Sequence, residues 1–257
     1  MTIERVSPPA PADFLRDYVI PGRPVVLVGL TDGRAMRERW SLVSLARRFG
    51  DRSVAIASAR SGVLDGDVRG GVRSESIPFG RYVEMLCAGG HPGLYLVASM
   101  EKFFPELRRE MEVPIYCRGA RWRRSRLFLG AGGSVTPLHR DLAHNLFTQI
   151  TGRKRFWLYH RADTAWLYSQ SFLSGLPNFS RFDPERPEYE QFPHAEAVRP
   201  IEVILEEDEV LFLPSLWWHH VRSLELSLSV SCWWTEGPLE VLQRMIERFK
   251  RLRGIEL

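Results

Sequence analysis

Apolar positions in the first third of the chain follow two periods in turn. In "PADFLRDYV" (11–19) they return every three or four residues, which predicts a short amphipathic helix ended by Pro21-Gly22. "PVVLVGL" (24–30) is the β-branched apolar run of a buried strand. Ser41 and Gly50 bracket "SLVSLARRFG" as an N-cap and a helix stop. "SVAIASA" (53–59) predicts a strand, and "IPFGRYVEMLCAGG" (77–90) a helix with proline near its start and glycines past its end. "GLYLVAS" (93–99) predicts a further strand and "FFPELRREM" (103–111) a short helix.

Between residues 126 and 234 the pattern shortens to strands separated by turn residues. "RLFLG" and "SVTPLH" flank a glycine-rich turn at 130–133. "NLFTQITG" and "KRFWLYH" meet at Gly152, which predicts a hairpin. Residues 160–200 are irregular and rich in Pro, Phe and Tyr, and a loop of that length inside a domain is usually functional. "EVLFLP", "WWHHVRSL" and "LSLSVSCWW" complete the run, and short strands at even spacing predict a sandwich, barrel or jelly roll. The segment 238–254 predicts a helix with Leu239, Leu242, Met245, Ile246, Phe249 and Leu252 on one face. That face is expected to pack on the body or to pair with a second copy in a homodimer. With no repeat, low-complexity tract or linker, the chain reads as a single domain over 1–257.

Composition narrows the setting more than the chemistry. At 44% hydrophobic and 26% charged, the 257 residues form an ordinary globular chain able to bury a core. No apolar run approaches the ~18–20 residues of a membrane span. "MTIERVSPPAPADF" lacks the basic-then-apolar pattern of a secretory signal. Cys87, Cys117 and Cys232 are odd in number and match no zinc spacing, so a reduced, cytoplasmic setting without membrane contact is expected. Of 35 basic residues only Lys102, Lys154 and Lys250 are lysine, leaving 32 arginines. The net charge of +4 permits an acidic partner without demanding one.

Candidate chemistry begins at "VTPLHRDLAHN" (135–145). Alternate residues of an extended segment share a face, so His139 and Asp141 can reach one point and hold a metal, although a surface turn gives the same spacing. A third ligand must come from another strand, and "FLPSLWWHHVRSL" offers His219 or His220, of which at most one faces inward. Lys154, Phe156 and Leu158 share a face of "RKRFWLY", which sets a charge among inward apolar groups. Ser227, Ser229 and Ser231 share a face too, either a pocket wall or a solvent face.

Taken together, "VTPLHRDLAHNLFTQITGRKRFWLYH", "EVLFLPSLWWHHVRSLELSLSVSCWW" and "FDPERPEYEQFP" resemble the Jumonji-C family. More narrowly they resemble its small cupin-like hydroxylases, the group with factor inhibiting HIF and the Jumonji-type arginyl hydroxylases. Upstream, "IPGRPVVLVGL", "RWSL" and "FFPELRREMEVPIYC" follow in the family's order. The resemblance implies a mainly β fold: a double-stranded β-helix (jelly roll, cupin-like) core over 117–236, an N-terminal α/β extension over 1–116 and a C-terminal helix over 237–257. It also implies Fe(II) held by His139, Asp141 and His219, with 2-oxoglutarate as cosubstrate and O2 as oxidant. Lys154 matches the family's anchor for the distal carboxylate, Thr136 and Tyr95 its assisting hydroxyls, and Asn145 an amide near the other carboxylate. Ser231 stands where relatives carry asparagine or serine. Val97 stands where some carry a substrate-contacting glutamine, so substrate choice is not inherited.

The activity so implied is hydroxylation of an amino-acid side chain in a protein or peptide. Five arginines and a tryptophan in "CRGARWRRSR" (117–126) suit a solvated loop or an RNA backbone. Some members of the family it resembles hydroxylate a modified tRNA base, so the resemblance implies hydroxylation of a tRNA base, or of a small amino-acid-derived metabolite, as the alternative. Lysine demethylation would need a methylammonium cage that the sequence does not announce. A metal-binding cupin used as a sensor or scaffold is the non-enzymatic reading, though it would have no use for a dicarboxylate pocket.

Overall fold

The structure, a computed structural model, describes residues 2–58, 73–89, 94–111, 115–117, 125–171 and 177–235, together with Val241 and Met245. Most of the predicted C-terminal helix and of the arginine-rich stretch 117–126 lies outside the described residues. Among the described residues thirteen strands form two sheets: β1 (Arg5–Val6), β2 (Val25–Val28), β3 (Ser53–Ser58), β4 (Arg73–Pro78), β5 (Leu94–Ser99), β6 (Arg126–Gly130), β7 (Val135–Arg140), β8 (His144–Thr151), β9 (Lys154–Tyr159), β10 (Ile201–Leu205), β11 (Glu209–Leu213), β12 (Trp218–Ser223) and β13 (Ser227–Trp234). The larger sheet has the order β1-β2-β11-β8-β13-β6-β5-β3-β4 and the smaller β10-β9-β12-β7. From β6 to β13 the chain changes sheet at every link except β9 to β10. That alternation is the jelly roll, with β1–β2 and β3–β5 extending its larger sheet on either side.

The predicted hairpin at Gly152 is therefore corrected. β8 pairs with β11 and β13, β9 with β10 and β12, and the turn between them carries the chain from one sheet to the other. Gly152 has φ +69°, and a Cβ there would lie 2.1 Å from the Leu226 carbonyl oxygen. Its N–H donates to Glu207 Oε1 at 2.7 Å. Left-handed strain and a backbone clash together predict that Gly152→Ala costs about 3 kcal/mol, a fall of roughly 5–10 °C in Tm. An unchanged Tm would mean that the crossing is looser than drawn.

Three apolar layers hold the sheets. Against the outer face of the larger sheet pack the helices α1 (Pro11–Phe14), α2 (Gly33–Arg39), α3 (Leu42–Phe49), α4 (Phe79–Cys87) and α5 (Met100–Phe103), through Phe14, Trp40, Leu45, Phe79 and Phe104. Ser41 caps α3 as predicted, accepting from the Ser44 N–H at 3.3 Å. Helix α4 begins two residues later than the predicted start, because Ile77 and Pro78 finish β4 against β3. Between the sheets lie Phe147, Phe156, Leu158, Leu211, Leu213 and Val221.

The third layer is supplied by the described residues of the irregular stretch 160–200. Leu167, Phe182, Phe192 and Ala195 pack on Leu138, Tyr159 and Trp218, which point outward from the smaller sheet. Glu185 accepts hydrogen bonds from Arg155 and Arg222, and its carboxylate lies 3.3 Å from His220 Nε2. Burial alone would raise the Glu185 pKa, but Arg222 and His220 reverse the effect and hold it well below the usual carboxylate range. The insert is thus a packed cover on the smaller sheet. Among the described residues no helix is long and apolar enough to cross a membrane.

Candidate active site

A β-bulge sets the first half of the site. β12 pairs His219 with His139 and Val221 with Thr136, so β7 spends three residues where its partner spends two. Pro137 sits inside this irregularity, where its missing N–H breaks no ladder bond. The extra residue turns both Thr136 and His139 to the interior, although their spacing of three would separate them on a regular strand. Asp141 follows just past the end of β7.

His139, Asp141 and His219 then meet, with one ligand atom of each within 4.8 Å of the others. His219 Nε2 lies 3.9 Å from Asp141 Oδ2, and the two imidazole centroids are 4.0 Å apart. Each ring is oriented through its other nitrogen: His139 Nδ1 lies 2.8 Å from the Pro137 carbonyl and His219 Nδ1 3.1 Å from that of Trp217. A carbonyl can only accept, so in both rings Nδ1 is the donor, which turns Nε2 toward the cluster. Burial first, and His139 next, hold the His219 pKa well below the usual imidazole range, which keeps that imidazole neutral. Two neutral imidazoles and a carboxylate on one side of a metal are the donor set suited to non-haem iron.

His220 points the other way, as alternation requires. Its ring stacks on Trp157 at 5.6 Å beside Glu185, buried under the insert. Trp233 donates its indole N–H to Asp141 Oδ2 at 3.0 Å and so fixes the carboxylate. This contact was missed in the sequence, although alternation from Ser231 along β13 points Trp233 to the same wall.

Lys154 lines the same cavity as the triad. Its ammonium group donates to the Tyr95 hydroxyl at 3.1 Å and lies 5.2–5.5 Å from the ring centroids of Tyr95, Phe128 and Phe147. Thr136 stands within hydrogen-bonding reach of that hydroxyl. Lys154 is 1% exposed, and no carboxylate pairs with it among the described residues. Burial lowers its pKa from 10.5 to about 7, since three rings and one hydroxyl replace little of the lost hydration.

Asn145 donates to Ser231 Oγ at 3.2 Å, while its own Oδ1 is buried without a partner. Ser227, Ser229 and Ser231 are all 0% exposed, so the serine face is an interior wall and not a solvent face. Ser229 donates to Gln149 Oε1 at 2.8 Å, and Gln149 Nε2 donates to Ser227 Oγ at 2.9 Å. The eight residues that the resemblance assigns to metal and cosubstrate, His139, Asp141, His219, Lys154, Thr136, Tyr95, Asn145 and Ser231, all line this one cavity.

A jelly roll whose two sheets enclose a two-histidine, one-carboxylate cluster and a buried lysine defines the cupin class. The model of the cupin-like domain matches residues 11–239, and the chain belongs to that family, in its Jumonji-C type. The chain is 33% identical over 231 residues to lysine-specific demethylase JMJ30 of Arabidopsis thaliana, covering 86% of this chain and 52% of that protein. It is 31% identical over 239 residues to lysine-specific demethylase 8 of Xenopus tropicalis, covering 91% and 53%. It is 27% identical over 245 residues to tRNA wybutosine-synthesizing protein 5 of Danio rerio, covering 88% and 73%. The chain thus spans about half the length of the two demethylases it matches.

Proposed function

We propose that the chain is an Fe(II)- and 2-oxoglutarate-dependent oxygenase that hydroxylates an amino-acid side chain of a protein or peptide. One observation carries the reading: a buried ammonium group, without a carboxylate partner among the described residues, lines the same cavity as the His139–Asp141–His219 cluster. An uncompensated buried charge is costly, and a bound dicarboxylate removes that cost. The orphaned Asn145 Oδ1 is a second sign that the cavity is built around a polar ligand.

In this reading His139, Asp141 and His219 hold the iron. Lys154 holds the distal carboxylate of 2-oxoglutarate, with the Tyr95 and Thr136 hydroxyls beside it. Asn145 and Ser231 face the other end of the same molecule. Iron with 2-oxoglutarate and O2 supplies, when bound, the oxidising power to insert an oxygen atom into an unactivated C–H bond. The protein contributes placement and dryness: Phe128, Phe147 and Phe156 line the walls and exclude water. The scheme needs no side-chain acid or base.

Peptide hydroxylation is favoured over demethylation because the rings of Tyr95, Phe128 and Phe147 already surround Lys154 and form no cage for a methylammonium group. The likeness to a tRNA wybutosine-synthesizing protein supports a modified tRNA base as the second reading. Mass spectrometry of host peptides and tRNA nucleosides, with and without the protein, separates them. Hydroxylation adds about 16 Da, expected on a peptide side chain; the same shift confined to a nucleoside would move the substrate to RNA.

A further inference from the structure

Residues 178–181 form a short extended segment that the sequence does not announce, and isolated β-bridges tie it to the free edge of β7 and to Ser169. Arg140 N–H donates to the Asn178 carbonyl at 3.0 Å and Ser180 N–H to that of Leu138 at 2.8 Å. On its far side the segment is held in turn by residues 167–170. Gln170 N–H donates to the Phe179 carbonyl at 2.8 Å, Arg181 N–H to that of Tyr168 at 2.9 Å, and Ser180 Oγ to that of Leu167 at 2.5 Å. Bonded through its backbone on both sides, the segment is fixed against the edge of β7 and is not a lid.

The register of this pairing sets Phe179 opposite His139. Directly opposed residues in an antiparallel pair project to one face, so Phe179 is delivered to the metal side of the sheet. There its ring lies parallel to the His139 imidazole, with centroids 5.0 Å apart and planes 15° from each other. His139 is tied at Nδ1 to a backbone carbonyl only two residues away, which limits the ring's translation but leaves it able to tilt about that bond. A flat partner against its face removes the tilt. His219, fully enclosed between neighbouring strands, has no such need; His139 stands on the outermost of the four strands and does.

We propose that Phe179 is a positioning residue of the metal centre: a segment of the insert bridged to the edge of β7 holds an aromatic ring that fixes the plane of the His139 imidazole. The inference rests on the reading of His139, Asp141 and His219 as metal ligands. Residues next to ligands that fix ring orientation commonly change metal affinity by about 10–100-fold when removed. A stacked ring without a hydrogen bond belongs at the lower end of that range.

The test is titration of the purified chain with Co(II), followed by its visible absorption, for wild type, Phe179→Ala and Phe179→Tyr, with the Tm of each metal-free protein. Phe179→Ala is expected to weaken Co(II) binding roughly tenfold and to alter the band shape, and Phe179→Tyr, which keeps the ring, to restore both. A purely structural role would lower the metal-free Tm and leave the spectrum of the folded protein as it was. Affinity and spectrum unchanged in Phe179→Ala, or a loss that Phe179→Tyr does not recover, overturns the proposal. Failure of the wild type to bind Co(II) would instead strike at the metal-ligand reading itself.

Discussion

His139→Ala and Asp141→Ala are each expected to lower iron- and 2-oxoglutarate-dependent succinate release by more than about a hundredfold, because two remaining donors cannot hold a ferrous ion that three would hold on one side. The Asp141 variant carries a further penalty, since it leaves the Trp233 indole N–H without its acceptor. His220→Gln is the informative contrast. That side chain faces Glu185 and Trp157 on the outside of the smaller sheet, so release in His220→Gln should stay within a few-fold of wild type. Undiminished turnover in either ligand variant, or its loss in His220→Gln with the fold intact, would remove the metal centre as assigned.

Lys154→Met is expected to do two opposite things. It should abolish 2-oxoglutarate binding, with affinity down by more than about a hundredfold, as breaking a buried charge pair usually costs about 3–5 kcal/mol. It should also stabilise the ligand-free protein by about 1–3 kcal/mol, since an apolar chain of similar length replaces a desolvated ammonium group among Tyr95, Phe128 and Phe147. Linkage supplies an independent check. The folded pKa of about 7 lies below the ordinary 10.5, so between these values the unfolded chain binds more protons than the folded one. Stability of the ligand-free wild type attributable to Lys154 therefore rises with pH across that window and is lost as pH falls toward 7. Lys154→Met should lack that slope. At pH 8 the wild type should take up a proton on binding 2-oxoglutarate, visible as a dependence of the binding heat on buffer ionisation enthalpy. A variant that binds the dicarboxylate as well as wild type would dismiss the anchor.

The chemistry of this chain was easier to read than its topology. His139, Asp141 and Lys154 stood out because ligand types at alternate positions and a lone lysine on an apolar face are local patterns. The inward choice of His219 over His220 came with the family resemblance, and the interior agrees with it. What the sequence hid depends on distant partners. The bulge that turns Thr136 inward is a mismatch between two strands, invisible in either alone. Gly152 looks like a hairpin turn because the flanking strands suit one; only the strands that each of them joins reveal a crossing. β4 has a single large apolar residue in "RSESIP", so its pairing with β3 leaves no periodic trace. The bridged segment at 178–181 is equally quiet, since the backbone of β7, and not its own side chains, recruits it. In the serine face of β13, alternation was legible but its sense was not: serine is at home in water and equally in a buried network with Gln149 and Asn145.

Calorimetric titration of 2-oxoglutarate into the wild-type chain, with and without a redox-inert divalent metal such as Mn(II), tests most directly whether triad and ammonium group serve one ligand. The expected result is one-to-one binding that the metal strengthens by at least tenfold. Binding that is absent, or that is the same whether or not the metal is present, would contradict the account.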